Sequence, residues 1–163
     1  MKVIKELIPY VIIIVVVVLI RTFLVTPVQV EGRSMVPTLQ DNQILLLKKY
    51  QRNYKRFDIV VIDDGNEKLI KRIIGLPGET LEVRDNKLYI NGKYVKEDFK
   101  HDKTEDFVYN KKKRIPEGYY FVMGDNRDNS MDSRVFGAFS KDQILGVTSF
   151  SIFPFQTFGS IEA

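Results

Sequence analysis

Ser34 stands in "EGRSMVPTLQ", residues 31–40, just after a long apolar run. A serine becomes a nucleophile only when a neighbouring group takes its proton. In a Ser-His-Asp triad that group is histidine. The chain has one, His101, inside a charged stretch whose composition reads as solvated surface. There is no cysteine, which removes thiolate nucleophiles and thiolate metal sites. "DDGNE" at 63–67 has turn composition. "DNRDNSMD" at 125–132 is acidic but lacks the alternating ligands and the glycine of a calcium loop, and it carries Arg127 where an oxygen is needed. No metal or cofactor is expected.

Lysine is the remaining base. A neutral ε-amine accepts a serine proton, and serine-lysine pairs are a known variant of the triad. At an ordinary pKa near 10.4, only about 0.04% of lysine is neutral at pH 7. Burial among apolar groups disfavours the charged form, so the base should be embedded in an apolar strand. Lys71 in "KLIKRIIGLPG" (68–78) fits, flanked by Leu69, Ile70, Ile73 and Ile74. In a strand Leu69, Lys71 and Ile73 share one face and Arg72 points the other way. A surface lysine on an amphipathic strand has the same pattern, and spacing alone leaves both readings open.

Something must hold these residues. The first 25 residues differ from the rest: Lys2 and Lys5, an uncharged run from Leu7 to Ile20, then Arg21 and "TFLV". From Ile4 to Val25 a helix would span about 33 Å, which matches a hydrocarbon core of roughly 30 Å. The segment is apolar all round, unlike an amphipathic core helix, and no small-residue cleavage pattern follows it. An uncleaved anchor is expected over 6–25, with a cytoplasmic tip at 1–5 carrying Lys2 and Lys5. Residues 26–163 would then form one extracytoplasmic domain in a single-pass protein of the cell membrane. The net charge of +4 suits an anionic membrane surface as well as it suits nucleic acid.

After Pro27 the pattern is short β-type runs: "VQV", "ILLLKKY", "DIVVID", "LIKRIIG", "TLEVRD", "KLYI", "KYV", "YYFVMG" and "ILGVTSFSIF". Turn chemistry separates them, and Asn91-Gly92 predicts a two-residue hairpin. The expectation is an all-β catalytic domain of coiled antiparallel sheets, partly barrel-like, behind the N-terminal helix. Residues 96–118 are charged and read as a surface excursion. Its "KKKR" at 111–114 reads as a solvated loop facing anionic lipid.

The blocks "SMVPTL" (34–39), "FDIVV" (57–61), "KRIIGLPG" (71–78) and "GDNRDNSMDSR" (124–134) resemble the four signature blocks of the type I signal peptidases, in the family's order. With the anchor, the resemblance covers essentially the whole chain and is nearest to the short Gram-positive-type members. It implies Ser34 as nucleophile and Lys71 as general base. It also implies Ser130 as the hydroxyl orienting the lysine, and Asp132 with Arg134 as a structural pair under that loop. Asp125, Arg127 and Arg72 match positions best regarded as scaffold. Some relatives carry serine or threonine two residues before the nucleophile as an oxyanion donor. Gly32 stands there in this chain, leaving the Ser34 N–H as main donor.

The resemblance therefore implies a membrane-anchored serine endopeptidase that removes N-terminal signal peptides from exported preproteins. Substrates would have small residues at the first and third positions before the cut. Val30, Met35, Leu69 and Ile70, which flank the pair, are the candidate substrate-binding residues. Expected partners are secretory preproteins, membrane lipid and the general secretion translocase, with no nucleic acid. Three alternatives stand beside this reading: a soluble-type Ser-Lys self-cleaving protein, an inactive membrane-tethered peptide-binding module, and a nucleic-acid binder using "KKKR", which fails on location. The anchor and the 124–134 block oppose the first; the filled serine and lysine positions oppose the second.

Overall fold

The computed structural model describes residues 2–161, with the backbone alone for residues 2–5 and Lys112. Residues 2–5 of the expected tip are helical backbone, and Met1 lies outside the described residues. Helix α1 runs from Lys2 to Phe23, with Pro9 in its early part. From Glu6 to Phe23 it is long and apolar enough to cross a membrane, and none of it is buried against protein. A helix satisfies its own interior backbone groups, the condition for an apolar segment to leave water. It ends where Thr26 Oγ1 donates to the Arg21 carbonyl at 2.9 Å and Pro27 follows.

Twelve strands follow: β1 (Val25–Gln29), β2 (Ile44–Lys48), β3 (Ile59–Asp63), β4 (Lys68–Gly75), β5 (Leu81–Arg84), β6 (Lys87–Ile90), β7 (Lys93–Val95), β8 (Phe107–Val108), β9 (Tyr119–Met123), β10 (Phe139–Ser140), β11 (Ile144–Phe153) and β12 (Gly159–Ser160). One sheet has the order β1-β2-β11-β3-β4-β9-β10, with β12 added to β11; the other is β7-β6-β5-β8. Every pairing is antiparallel. Register shifts in β11 and between β4 and β9 mark irregularities of the kind that bend a sheet. The mostly β, curled architecture is as the pattern of short runs anticipates.

All nine anticipated runs are strands. The hairpin at 91–92 joins β6 to β7, with positive φ at both Asn91 and Gly92. Three two-residue strands, β8, β10 and β12, and the one-turn helix α2 (Ser133–Phe136) are additions. Elements that short carry too little periodicity to be read from sequence.

Strand β4 lies at the junction of three apolar clusters. Leu69 and Ile73 join Val60, Ile62, Val122 and Phe139 on one side. Ile70 joins Val30, Met35, Leu39, Leu45 and Val61 on the other, and Ile74 packs with Leu81, Leu88, Ile115 and Phe121. Seven of its eight residues are buried. A lysine placed on it is forced out of water.

The excursion 96–118 is tied down more firmly than its composition suggests. Thr104 and Ile115 are 2% and 0% exposed, and Phe107 and Val108 form β8 against β5. His101, expected as a solvated surface residue, is half-buried: its side chain is 13% exposed, with Nε2 3.6 Å from Glu97 Oε2 and the ring tilted against Phe99. The reason is the apolar spacing of Phe99, Phe107 and Tyr109, which dock on the third cluster and draw their charged neighbours inward.

Candidate active site

Ser34 is presented by a tight turn with its foot in the core. Leu39 N–H donates to the Met35 carbonyl at 2.9 Å, and the Met35 and Leu39 side chains are 1% and 0% exposed. Gly32 enters the turn with φ of +83°, a conformation that a serine or threonine would adopt only under strain. Its N–H donates to Asp41 Oδ1 at 2.9 Å. Two bonds tie the turn to the loop after β9: Asn126 N–H to the Ser34 carbonyl and Asn126 Nδ2 to the Arg33 carbonyl, both 3.0 Å.

Lys71 approaches from β4, and its Nζ lies 2.6 Å from Ser34 Oγ. The residue is 3% exposed. Burial lowers its pKa; the charges of Asp132 and Glu67 oppose that effect, and Arg134 assists it. Arg72 points to the opposite side, as strand alternation requires. Its Nε and Nη2 reach Asp125 at 2.9 and 2.7 Å, both side chains fully buried. Thr38 Oγ1 also donates to Asp125 at 2.5 Å, so this pair braces the turn carrying Ser34.

The loop 124–134 closes the site. Asp132 accepts from the Gly124 N–H at 3.0 Å, from Ser130 Oγ at 2.8 Å and from Arg134 Nε and Nη2 at 2.9 Å. Burial pushes the Asp132 pKa up, but the Arg134 bonds, the Gly124 N–H and the Ser130 hydroxyl outweigh it and hold the carboxylate below its ordinary value. Ser130 bonds to Asp132, and among the described residues no hydrogen bond joins its hydroxyl to Lys71. Its partner Asp132 acts on the amine through its charge, which raises the Lys71 pKa.

Gly124 is the tightest point. A Cβ there would stand 2.3 Å from Ser130 Oγ and 2.4 Å from the Ser34 carbonyl oxygen. The second contact is backbone and cannot swing aside. Gly124→Ala should therefore push the serine turn away from Lys71, and a displacement of about 1 Å costs on the order of 10²-fold in rate. Turnover by the variant, beside its circular dichroism, measures this; wild-type turnover would show that the two loops have slack.

A cavity of about 180 Å³ opens over the pair. Val30, Met35, Leu69 and Ile70 all border it, none more than 8% exposed, so they form a close-packed floor. Glu31, Glu67, Asn129 and Met131 border it too, and nothing in their spacing announced it. Thr38 and Asn126 are further bracing residues, and both lie inside the quoted blocks. Strand β9 pairs with β4 only from Arg72 onward. Along Lys68–Lys71 that edge of β4 has no strand partner among the described residues.

Register also relates the site to α1. Val25 pairs with Lys48, Lys48 with Val147, Val147 with Val60, and Val60 with Lys71. The first strand residue after the helix and Lys71 lie in one row, four strand spacings or about 19 Å apart along the sheet.

The family model "Signal peptidase, peptidase S26" matches residues 3–153. The chain belongs to that family. Signal peptidase I of Bacillus amyloliquefaciens is 47% identical, with 85% of this chain and 82% of that protein covered. Signal peptidase I T of Bacillus subtilis (strain 168) is 46% identical, over 85% and 79%. The crystal structure of a signal peptidase I from Enterococcus faecalis V583 is 40% identical, with a TM-score of 0.52 over 58% of this chain and 96% of that one. The chain is thus a serine peptidase of the signal peptidase I kind, acting on signal peptides.

Proposed function

We propose that the peptidase is held to the membrane by α1 and cuts exported preproteins with Ser34 as nucleophile and Lys71 as its base. The observation that carries this reading is the 2.6 Å contact between a serine hydroxyl and a lysine amine enclosed by β4. Neutral Lys71 takes the Ser34 proton as Oγ attacks the scissile carbonyl. The Ser34 N–H stabilises the oxyanion. The tetrahedral intermediate expels the new amine, which receives the proton from Lys71, and an ester to Ser34 remains. Lys71 then takes a proton from water, whose oxygen attacks the ester, and the proton returns to Oγ as the acid leaves. Ser130, Asp132 and Arg134 act indirectly, by fixing the loop against which the amine rests.

The substrate lies extended along the unpaired edge of Lys68–Lys71, adding a strand. With α1 in the bilayer, a site about 19 Å along the sheet from Val25 meets chains as they emerge from the membrane. The N-terminus lies in the cytoplasm and the β domain outside, within reach of the general secretion translocase and membrane lipid. Incubating the detergent-solubilised protein with a preprotein, beside Ser34→Ala, tests the central reading. Only the parent should release product, and mass spectrometry should find its new N-terminus at the signal-peptide junction. Cleavage by Ser34→Ala would remove the nucleophile assignment.

Specificity follows from the packed floor. Such walls cannot absorb extra methylenes without displacing the core. Replacing alanine by phenylalanine at the first or third substrate position before the cut should abolish cleavage and leave export intact. Unchanged processing would show that these four residues do not line the pockets.

A further inference from the structure

Between Asp41 and Asp58 the chain has no acidic residue, and five of the nine residues from Lys48 to Arg56 are basic. This is the end of β2 and its connection to β3, and its first turn is stapled to the end of α1. The Lys49 N–H donates to the Leu24 carbonyl at 2.9 Å, and its Nζ to the carbonyls of Arg21 and Thr22 at 3.4 and 3.3 Å. Lys48 Nζ donates to Ser149 Oγ and Arg52 Nη1 to the Ile144 carbonyl, both neutral acceptors. Arg56 pairs with Glu79. Lys48, Lys49, Arg52 and Lys55 face no carboxylate within ion-pair distance among the described residues. Tyr50, between them in sequence, is 60% exposed, and Phe23 on the last turn of α1 is 65% exposed.

Four like charges without counter-charges repel one another, and their cluster sits where the apolar helix stops. Basic residues near a membrane are drawn to anionic headgroups, and tyrosine favours the same depth. We infer that the segment Lys48–Lys55 docks on anionic phospholipid headgroups of the leaflet in which α1 ends. This rests on the reading of α1 as a membrane anchor. A helix alone leaves the domain free to tilt about its end. A second contact through the β2–β3 connection fixes the sheet, and because Lys48 and Lys71 share a row, it sets the height of the catalytic groove.

The chain has no tryptophan, so one can be introduced as a reporter. The full-length protein is reconstituted as Tyr50→Trp or Phe23→Trp into phosphatidylcholine vesicles with or without phosphatidylglycerol, with acyl chains brominated near the glycerol. Phe23→Trp should be quenched in both. Tyr50→Trp should be quenched only with phosphatidylglycerol, and high salt should release it. Each basic residue near such a surface favours contact about fivefold. Adding Lys49→Gln, Arg52→Gln and Lys55→Gln should therefore shift the docked ratio on the order of a hundredfold and abolish the quenching. Cleavage in detergent should stay unchanged, and the salt titration reads the same contact without any charge variant. Quenching of Phe23→Trp without Tyr50→Trp would overturn the docking and leave the anchor standing. Tyr50→Trp quenching that is equal in pure phosphatidylcholine, or blind to salt and to the triple variant, would overturn the anionic partner. If neither reporter is quenched, the anchor reading fails and the docking falls with it.

Discussion

Lys71→Met should lose signal-peptide cleavage by at least about 10³-fold and yet unfold at a higher temperature than the parent. Methionine keeps the apolar stem and roughly the volume but cannot accept a proton. Lys71→Arg should be equally inactive, because a guanidinium stays charged at any working pH. Burial lowers the Lys71 pKa, so the reactive neutral form grows as pH rises, and kcat/KM should climb through that depressed value. The stability effect has the opposite origin. Between the folded pKa and the ordinary value near 10.4 the unfolded chain binds the extra proton, so stability rises with pH across that window. Below the folded pKa the full penalty of a buried ammonium is present. Removing the amine removes that penalty, at the expense of activity. His101→Ala should leave the acid limb in place, since His101 lies against Glu97 and Phe99 and has no contact with the pair. An active Lys71→Met, or loss of the limb in His101→Ala, would take the mechanism away.

Asp125→Ala should lower the thermal midpoint by roughly 10–20 °C, equivalent to about 3–5 kcal/mol. Both side chains of the Arg72–Asp125 pair are fully buried, and the Phe99 ring covers the guanidinium at 3.9 Å. Without the carboxylate, Arg72 keeps only the Phe57 carbonyl at 3.0 Å and a long contact to Thr38 at 3.5 Å. A buried cation is then left uncompensated, which costs more than the pair contributes. Thr38 also loses its acceptor, so the serine turn loosens and turnover falls even where the domain stays folded. Circular dichroism melts, with cleavage measured well below the midpoint, separate the two effects. The double variant Arg72→Met/Asp125→Leu should recover much of the stability and little of the turnover. A single variant that melts like the parent would mean that water reaches this pair.

The chain's own order of residues determined more here than is usual, for identifiable reasons. The N-terminal apolar helix was legible because an all-round apolar run has no amphipathic alternative. The strands were legible because β-branched and aromatic runs alternate with Asx and glycine turns, down to the hairpin at Asn91-Gly92. Lys71 was a candidate because a charge inside an apolar run conflicts with its surroundings, but the pattern left a surface lysine equally open until the resemblance of the four blocks singled it out. What sequence could not supply was contact across the fold. Ser34 and Lys71 are 37 residues apart, and the packing of Met35 and Leu39 beside Ile70 of β4, with the Asn126 and Thr38–Asp125 bonds to the serine turn, brings Oγ within 2.6 Å of Nζ. Ser130 belonged to the right loop, but its bond to Asp132 depends on a rotamer that no local pattern encodes. The charged excursion misled because composition describes each side chain's average preference, whereas Phe99, Phe107 and Tyr109 dragged Glu97 and His101 under cover. The common row of Val25 and Lys71 is a property of register alone. Register is set by four strand pairings acting together, which only the tertiary structure decides.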